Sequence, residues 1–391
     1  MSSPSLSHAA RNIRQSVFAR LAPHIAARRA AGETLIPLQI GDTCRLPVEQ
    51  ATATATESDI SRYGSISGMP ALLEALAEHR RDAGLQAARS ADHVHVGCGC
   101  THALFCAVRA VLDPGDEVLV ASPYWPLVPG LLMAAGAIPV EVPLTQAMMR
   151  GEVDVAQALE ARFTERTRAV YFISPNNPDG AVWRNGAITA LADFAQRRAL
   201  WVLADEVYAD YVYDGTHHHI ADRPGMEERT ISTFSLSKSH GLAGARIGYA
   251  VGPPEVVLAC RRISNHTLYN VPEAMQRVAL AAVQHGDAWI AEARDAYRAA
   301  RDAAVATLDG VGILHSGAPG GSFVFADLTP QLGGRPLQEL LEAAIAEGVL
   351  VAPGGAMGRG YEGHVRICFT GVSQAEVVDG IKRLARAAAS F

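Results

Sequence analysis

The sequence predicts an α/β protein with a central sheet flanked by helices, followed by a separate mixed set of strands and helices. Three observations carry that prediction. Seven strand-like apolar runs, at residues 93–96, 117–121, 139–142, 169–174, 201–205, 230–234 and 247–251, alternate with helical patterns. Several of these runs stop abruptly at polar or glycine-rich segments. No internal repeat, low-complexity run or long linker interrupts the 391 residues.

In chain order, the first 32 residues carry five arginines and no acidic residue. That composition fits an organelle transit peptide, but a surface helix over residues 16–29, running into a first strand at 35–40, is the expected reading. Helices are expected at 103–112, 126–135 and 187–198, between the runs of the sheet. A long helical tract at 272–308 leads away from it. Strands near 322–327 and 365–369 and helices at 336–347 and 373–388 then form the mixed set.

Composition excludes several function classes. Charged residues make up 19% of the chain and the net charge is −6, whereas a nucleic-acid surface needs a basic excess. The six cysteines form no small secreted framework, so a reducing cytoplasm is expected. No run of 18 uninterrupted apolar residues is present, so no membrane span is expected.

The most informative segment is Ser235-Leu236-Ser237-Lys238, which closes the run 230–234 and is followed by Gly241, Gly244 and Arg246. A lysine held at a strand end between hydroxyls suits a Schiff base with an aldehyde cofactor, while the hydroxyls and a guanidinium hold a phosphate. Upstream, Asp205-Glu206-Val207-Tyr208 closes a second run, and Ser174-Pro175-Asn176-Asn177-Pro178-Asp179-Gly180 a third. Polar groups at the carboxyl ends of parallel strands converge on one crevice.

With its order Asn-Pro-x-Gly, Asp-x-x-Tyr, Ser-x-Ser-Lys and Gly-x-x-Gly-x-Arg, the chain resembles the fold-type I pyridoxal-phosphate enzymes, specifically the class I/II aminotransferases, over essentially its whole length. The resemblance implies a large cofactor-binding domain at 48–275 with a mostly parallel seven-stranded sheet. It also implies a smaller α+β domain built from both termini, at 1–47 and 276–391. The cofactor is then pyridoxal 5'-phosphate, and the substrates are an amino acid and a 2-oxo acid.

Site residues follow by position. Lys238 matches the lysine that holds the aldehyde and later moves the Cα proton, and Asp205 the carboxylate that keeps the ring nitrogen protonated. Tyr208 and Asn177 match the partners of the ring hydroxyl. Gly99, Cys100 and Thr101 open a helix after a strand, so their amides can hold the phosphate, completed by Ser235, Ser237 and Arg246. Trp125, with Tyr124 as neighbour, matches the ring that stacks on the cofactor. Arg366 matches the arginine that clamps the substrate carboxylate, with Asn177 alongside, and Gly41 the loop that closes over it. Tyr63 resembles the tyrosine that reaches the phosphate of a neighbouring subunit, which implies a homodimer with composite sites.

Alternatives and departures bear on this reading. Cys98, Cys100, His102 and Cys106 lack the spacing of structural zinc, so no metal is expected, and His217-His218-His219 reads as a solvated turn. The loop Gly41-Asp42-Thr43-Cys44-Arg45 departs from the family's Gly-Glu-Pro or Gly-Asp-Pro. Thr101 stands where aspartate-using relatives carry a lysine, which argues for a neutral or aromatic donor, with Arg45 the one loop residue able to replace that charge. His240, His266, Tyr269 and Asn270 either line an unusual pocket or pack at a dimer interface. The same scaffold also supports C–S lyases, decarboxylases, eliminations and replacements, because the cofactor alone does not fix which Cα bond breaks. A ligand-sensing regulator would carry a DNA-binding module ahead of this domain, and the short stretch before the first strand, together with the chain's negative net charge, disfavours it.

Overall fold

A computed structural model describes residues 7–13, 21–52, 59 and 61–390. In chain order, β1 is Ile36–Pro37, β2 Val94–Cys98, β3 Glu117–Ser122, β4 Ile138–Pro143, β5 Thr167–Ile173, β6 Trp201–Asp205, β7 Thr230–Ser235 and β8 Ile247–Val251. The last seven form one sheet in the order β2-β8-β7-β6-β5-β3-β4. Only β8 runs antiparallel to its neighbours, so the sheet is mostly parallel. Two antiparallel steps bring β2 back to the direction of β7. The carboxyl ends of β2, β3, β5, β6 and β7 therefore share one edge.

These strands read as continuous apolar runs because both faces of the sheet are covered. Val118, Val120, Ala169 and Tyr171 pack under the helix Cys100–Val111, while their immediate neighbours Leu119, Ala121, Val170 and Phe172 pack under the helix Asn185–Arg197. That alternation is the period of two expected of a strand.

A second unit holds β9 (Leu314–His315), β10 (Phe323–Asp327), β12 (Ala352–Pro353) and β13 (His364–Cys368) in the antiparallel order β12-β13-β10-β9. Separately, β1 pairs in parallel with β11 (Val349–Leu350). Its core joins Ile36 and Leu38 to Trp289, Val324, Leu340, Val365 and Leu384, so the two ends of the chain share one apolar cluster. The helix Gln374–Ala389 starts at a capping box in which Ser373 and Glu376 satisfy each other's backbone amides. The helix Glu273–His285 instead packs Ala279 and Ala282 into the core of the large sheet.

Several expectations need correction. The first strand is confined to Ile36–Pro37, because the chain turns at Asp42, whose amide bonds Ile40 O, to bring Gly41 to the site. The long tract at 272–308 breaks at Gly286 into Glu273–His285 and Asp287–Gly310. A Cβ at Gly286 would lie 2.6 Å from His240 Cδ2, so the break lets a buried histidine fit. Of the helix expected at 16–29, the structure forms Ala22–Ala30, while residues 16–20 lie outside the described residues. Among the described residues, no helix is long and apolar enough to cross a membrane.

The three histidines are not a solvated turn. His217 Nε2 meets Glu206 Oε2 at 2.8 Å, and His219 Nδ1 bonds the same oxygen, while Ser232 Oγ donates to Glu206 Oε1 at 2.8 Å. Burial opposes the Glu206 charge, but the two imidazoles outweigh it and hold the carboxyl well below its usual range. Only His218 stands apart from the cluster.

Candidate active site

Lys238 lies on the single helical turn Leu236–Ser239 that follows β7. Its cap is Ser235, whose Oγ accepts from Ser237 N at 3.3 Å. The Lys238 side-chain nitrogen donates to Gly41 O. Burial lowers the pKa of Lys238 from its ordinary value, which favours the neutral, nucleophilic amine. The 391 residues hold one other lysine, Lys382, exposed on the helix Gln374–Ala389.

Lys238 lines a cavity of about 270 Å³ at the carboxyl edge of the sheet. Of the residues expected from sequence, Gly41, Cys100, Thr101, Trp125, Asn177, Asp205, Tyr208, Ser235, Ser237, Lys238, Arg246 and Arg366 all line it. Gly99 stands just behind the wall: its φ is +78°, and an added Cβ would strike the Arg246 guanidinium. Tyr63 is not brought to the cavity. It is 83% exposed and meets Tyr269 edge to face at 4.8 Å.

Asp205 ends β6, and its position is fixed by Tyr171, whose hydroxyl donates to Oδ2 at 2.8 Å. Burial raises its pKa to about 6 despite that hydrogen bond. A carboxyl this deep is suited to a cationic N–H partner, which would restore the ionised form. Burial also holds the Cys100 thiol protonated, so this residue offers its backbone amide rather than a thiolate.

The anion-binding end is equally specific. The helix Cys100–Val111 makes its first backbone bonds from His102 and Ala103 to Gly99 O, which leaves the Cys100 and Thr101 amides outside its ladder. Ser237 Oγ is buried without a partner. Arg246 adopts a left-handed backbone, φ 53°, a conformation costing roughly 1–3 kcal/mol for a non-glycine residue. Among the described residues, the lining holds the guanidiniums of Arg246 and Arg366 and the Lys238 amine, with Asp205 its one carboxylate. Such a cavity fits one phosphate and one carboxylate, and its unpartnered hydroxyl, free amides and deep carboxyl together fit pyridoxal 5'-phosphate.

At the opposite end, Arg366 on β13 donates to Asn177 Oδ1 at 2.8 Å and to Gln39 O at 2.9 Å. Its Nε is buried and unpartnered, so the fork keeps donors for a ligand. Phe323 lies under the guanidinium with its ring 4.1 Å from Cζ, and a Cβ on Gly41 would collide with the same ring. Sequence reasoning missed Phe323 and Tyr171. Tyr171 sits inside a plain apolar run, and Phe323 reaches the site from the other unit.

Four further expectations are now placed. His240 is buried inside the chain, with Nδ1 2.7 Å from Ser239 Oγ and its ring 5.7 Å from that of His79, and does not line the cavity. Neither His266, Tyr269 nor Asn270 lines it. Arg45 is paired with Glu292 at 3.2 Å and lies over Trp289, away from the cavity. The Cys98–Cys106 segment is held by hydrogen bonding: His102 Nδ1 accepts from Cys98 N at 3.2 Å, and His102 Nε2 is 3.5 Å from Cys106 Sγ.

Residues 33–384 match the profile of the family Aminotransferase class I and II. An arginine–pyruvate transaminase of Pseudomonas aeruginosa is 35% identical over 347 residues, covering 87% of each chain. An aspartate aminotransferase of Streptomyces avermitilis is 32% identical over 92% of this chain and 90% of its own. Among solved structures, a tetra mutant of Thermus thermophilus aspartate aminotransferase complexed with tryptophan superposes with a TM-score of 0.89 at 29% identity, covering 98% of this chain and 100% of that one.

Proposed function

The chain belongs to the class I and II aminotransferases and uses pyridoxal 5'-phosphate, and we propose that its amino donor is a large neutral or aromatic amino acid rather than aspartate, with a 2-oxo acid as acceptor. The observation that carries this is the wall around Thr101. Thr101 lines the cavity where a second carboxylate would need a cation, and Arg45 is engaged with Glu292 elsewhere. Arg246 and Arg366 line the same wall but are taken by the cofactor phosphate and the α-carboxylate in this reading. A second carboxylate buried there has no cation of its own and is strongly disfavoured.

When bound, the cofactor supplies an electron sink that makes the Cα proton of the substrate acidic. Lys238 would be the amine that holds the cofactor's aldehyde, and its lowered pKa suits it to accept the substrate's Cα proton. Asp205, oriented by Tyr171, would hold a proton on the cofactor's ring nitrogen. Tyr208 and Asn177, which line the cavity, would be the partners of the ring hydroxyl, and Trp125 would be the aromatic side chain packed against the cofactor. The Gly99, Cys100 and Thr101 segment, with Ser235, Ser237 and Arg246, holds the phosphate. Arg366 and Asn177 bind the α-carboxylate, while Gly41 closes over it. Donor and acceptor occupy the same cavity in turn, a ping-pong order.

The test is kcat/KM for aspartate against phenylalanine and leucine. The neutral amino acids are expected to lead. A tenfold or larger advantage for aspartate, about 1.4 kcal/mol in transition-state binding, would overturn the assignment.

We also propose a homodimer with shared sites, supported by the exposed ring pair Tyr63–Tyr269. In it, Tyr63 of one copy reaches the phosphate end of the other. Lys238→Ala and Tyr63→Ala chains, each inactive alone, should regain activity when refolded together, because a mixed dimer has one intact site. No regain, or a fully active monomer in sedimentation, contradicts this.

A further inference from the structure

A second cavity, of about 1190 Å³, adjoins the first: Gly41, Thr101, Trp125, Arg246 and Arg366 line both. Its remaining wall is largely apolar and aromatic, with Phe105, Tyr124, Met133 and Met357. Because Arg366 lines both cavities, this space adjoins a substrate whose carboxylate Arg366 holds. No aspartate or glutamate among the described residues lines it. A cationic side chain would find no counter-charge there.

One polar group in this wall has no assigned role. Gln39 lines the second cavity and is only 7% exposed. Its backbone carbonyl is taken by Arg366 Nη2, but its side-chain Oε1 is buried without any partner. Buried polar groups are almost always satisfied, and an unsatisfied acceptor at a binding wall marks a place for a donor.

We propose that the Gln39 side-chain amide reads the far end of the substrate, selecting large neutral amino acids whose ring carries an O–H or N–H donor, a phenol or an indole, over hydrocarbon side chains. This rests on the neutral-donor reading above and narrows it. The phenol can donate to Oε1 or accept from the amide nitrogen, whereas the indole N–H only donates, so tryptophan reports on the oxygen alone. A site whose buried acceptor is left unpaired by a donor-free substrate discriminates against that substrate.

The experiment is steady-state kinetics of the holoenzyme with tyrosine, tryptophan, phenylalanine and aspartate, for the native chain, Gln39→Leu and Gln39→Met. The native enzyme is expected to favour tyrosine over phenylalanine by about tenfold in kcat/KM, with tryptophan also ahead. Both variants should bring these ratios to about one while phenylalanine stays within roughly threefold of its native value. Equal native use of phenylalanine and tyrosine, or ratios unchanged by both substitutions, overturns this inference and leaves the neutral-donor reading standing. Variants that lose phenylalanine and tyrosine alike assign Gln39 a purely structural part and also overturn it. Preference for aspartate over all three removes both readings.

Discussion

Lys238→Ala is expected to abolish turnover, with a loss of at least about a thousandfold, the scale seen when a residue acting in covalent and proton-transfer steps is removed. The visible absorbance of the bound cofactor should disappear on desalting. The reason lies in the chain itself. Lys382, the only other lysine, is exposed on a helix of the other unit and does not line the cavity. No neighbouring amine can therefore take over. Circular dichroism should stay native, because the side chain bonds only Gly41 O among the described residues. A variant retaining a tenth of native turnover would contradict the assignment.

The second large effect is expected at Asp205. Asp205→Ala should lower kcat by ~10²–10³-fold, the range found when one preorganised electrostatic partner is taken from a reacting centre. Cofactor binding should survive better than catalysis, since Ser235, Ser237, Arg246 and the first amides of the helix Cys100–Val111 lie at a separate place on the wall. Tyr171, which does not line the cavity, fixes the carboxylate. Single-turnover rates of Cα proton removal, compared with cofactor dissociation constants, separate the two contributions. Near-native proton removal in Asp205→Ala would exclude the role.

Much of this fold is legible in the sequence because a sheet buried on both faces produces apolar runs that end abruptly at polar residues. All seven strands of the large sheet coincide with such runs, with ends displaced by a residue or two. The two-residue strands β9, β11 and β12 carry no such signal, because two paired residues leave no periodicity to detect. Many of the residues brought to the cavity stand at strand ends, where chain order alone places Asn177, Asp205 and Lys238 on one edge. Phe323, Tyr171 and Gln39 were not legible. Their contributions depend on the other unit closing over the sheet, or on a partner buried in an adjacent strand. The histidine cluster was misread for the same reason: a turn with Asp214 and Gly215 looks solvated until Glu206, at the end of β6, is seen to sit beneath it.

The central claim is that this cavity holds pyridoxal 5'-phosphate on Lys238, and borohydride reduction of the holoenzyme followed by peptide mass mapping tests it most directly. Reduction fixes the cofactor to the amine that carries it. The account predicts one cofactor mass per chain, on the peptide containing Lys238, with Lys382 unmodified. Label on Lys382 or on the N-terminal amine, with Lys238 free, would contradict it.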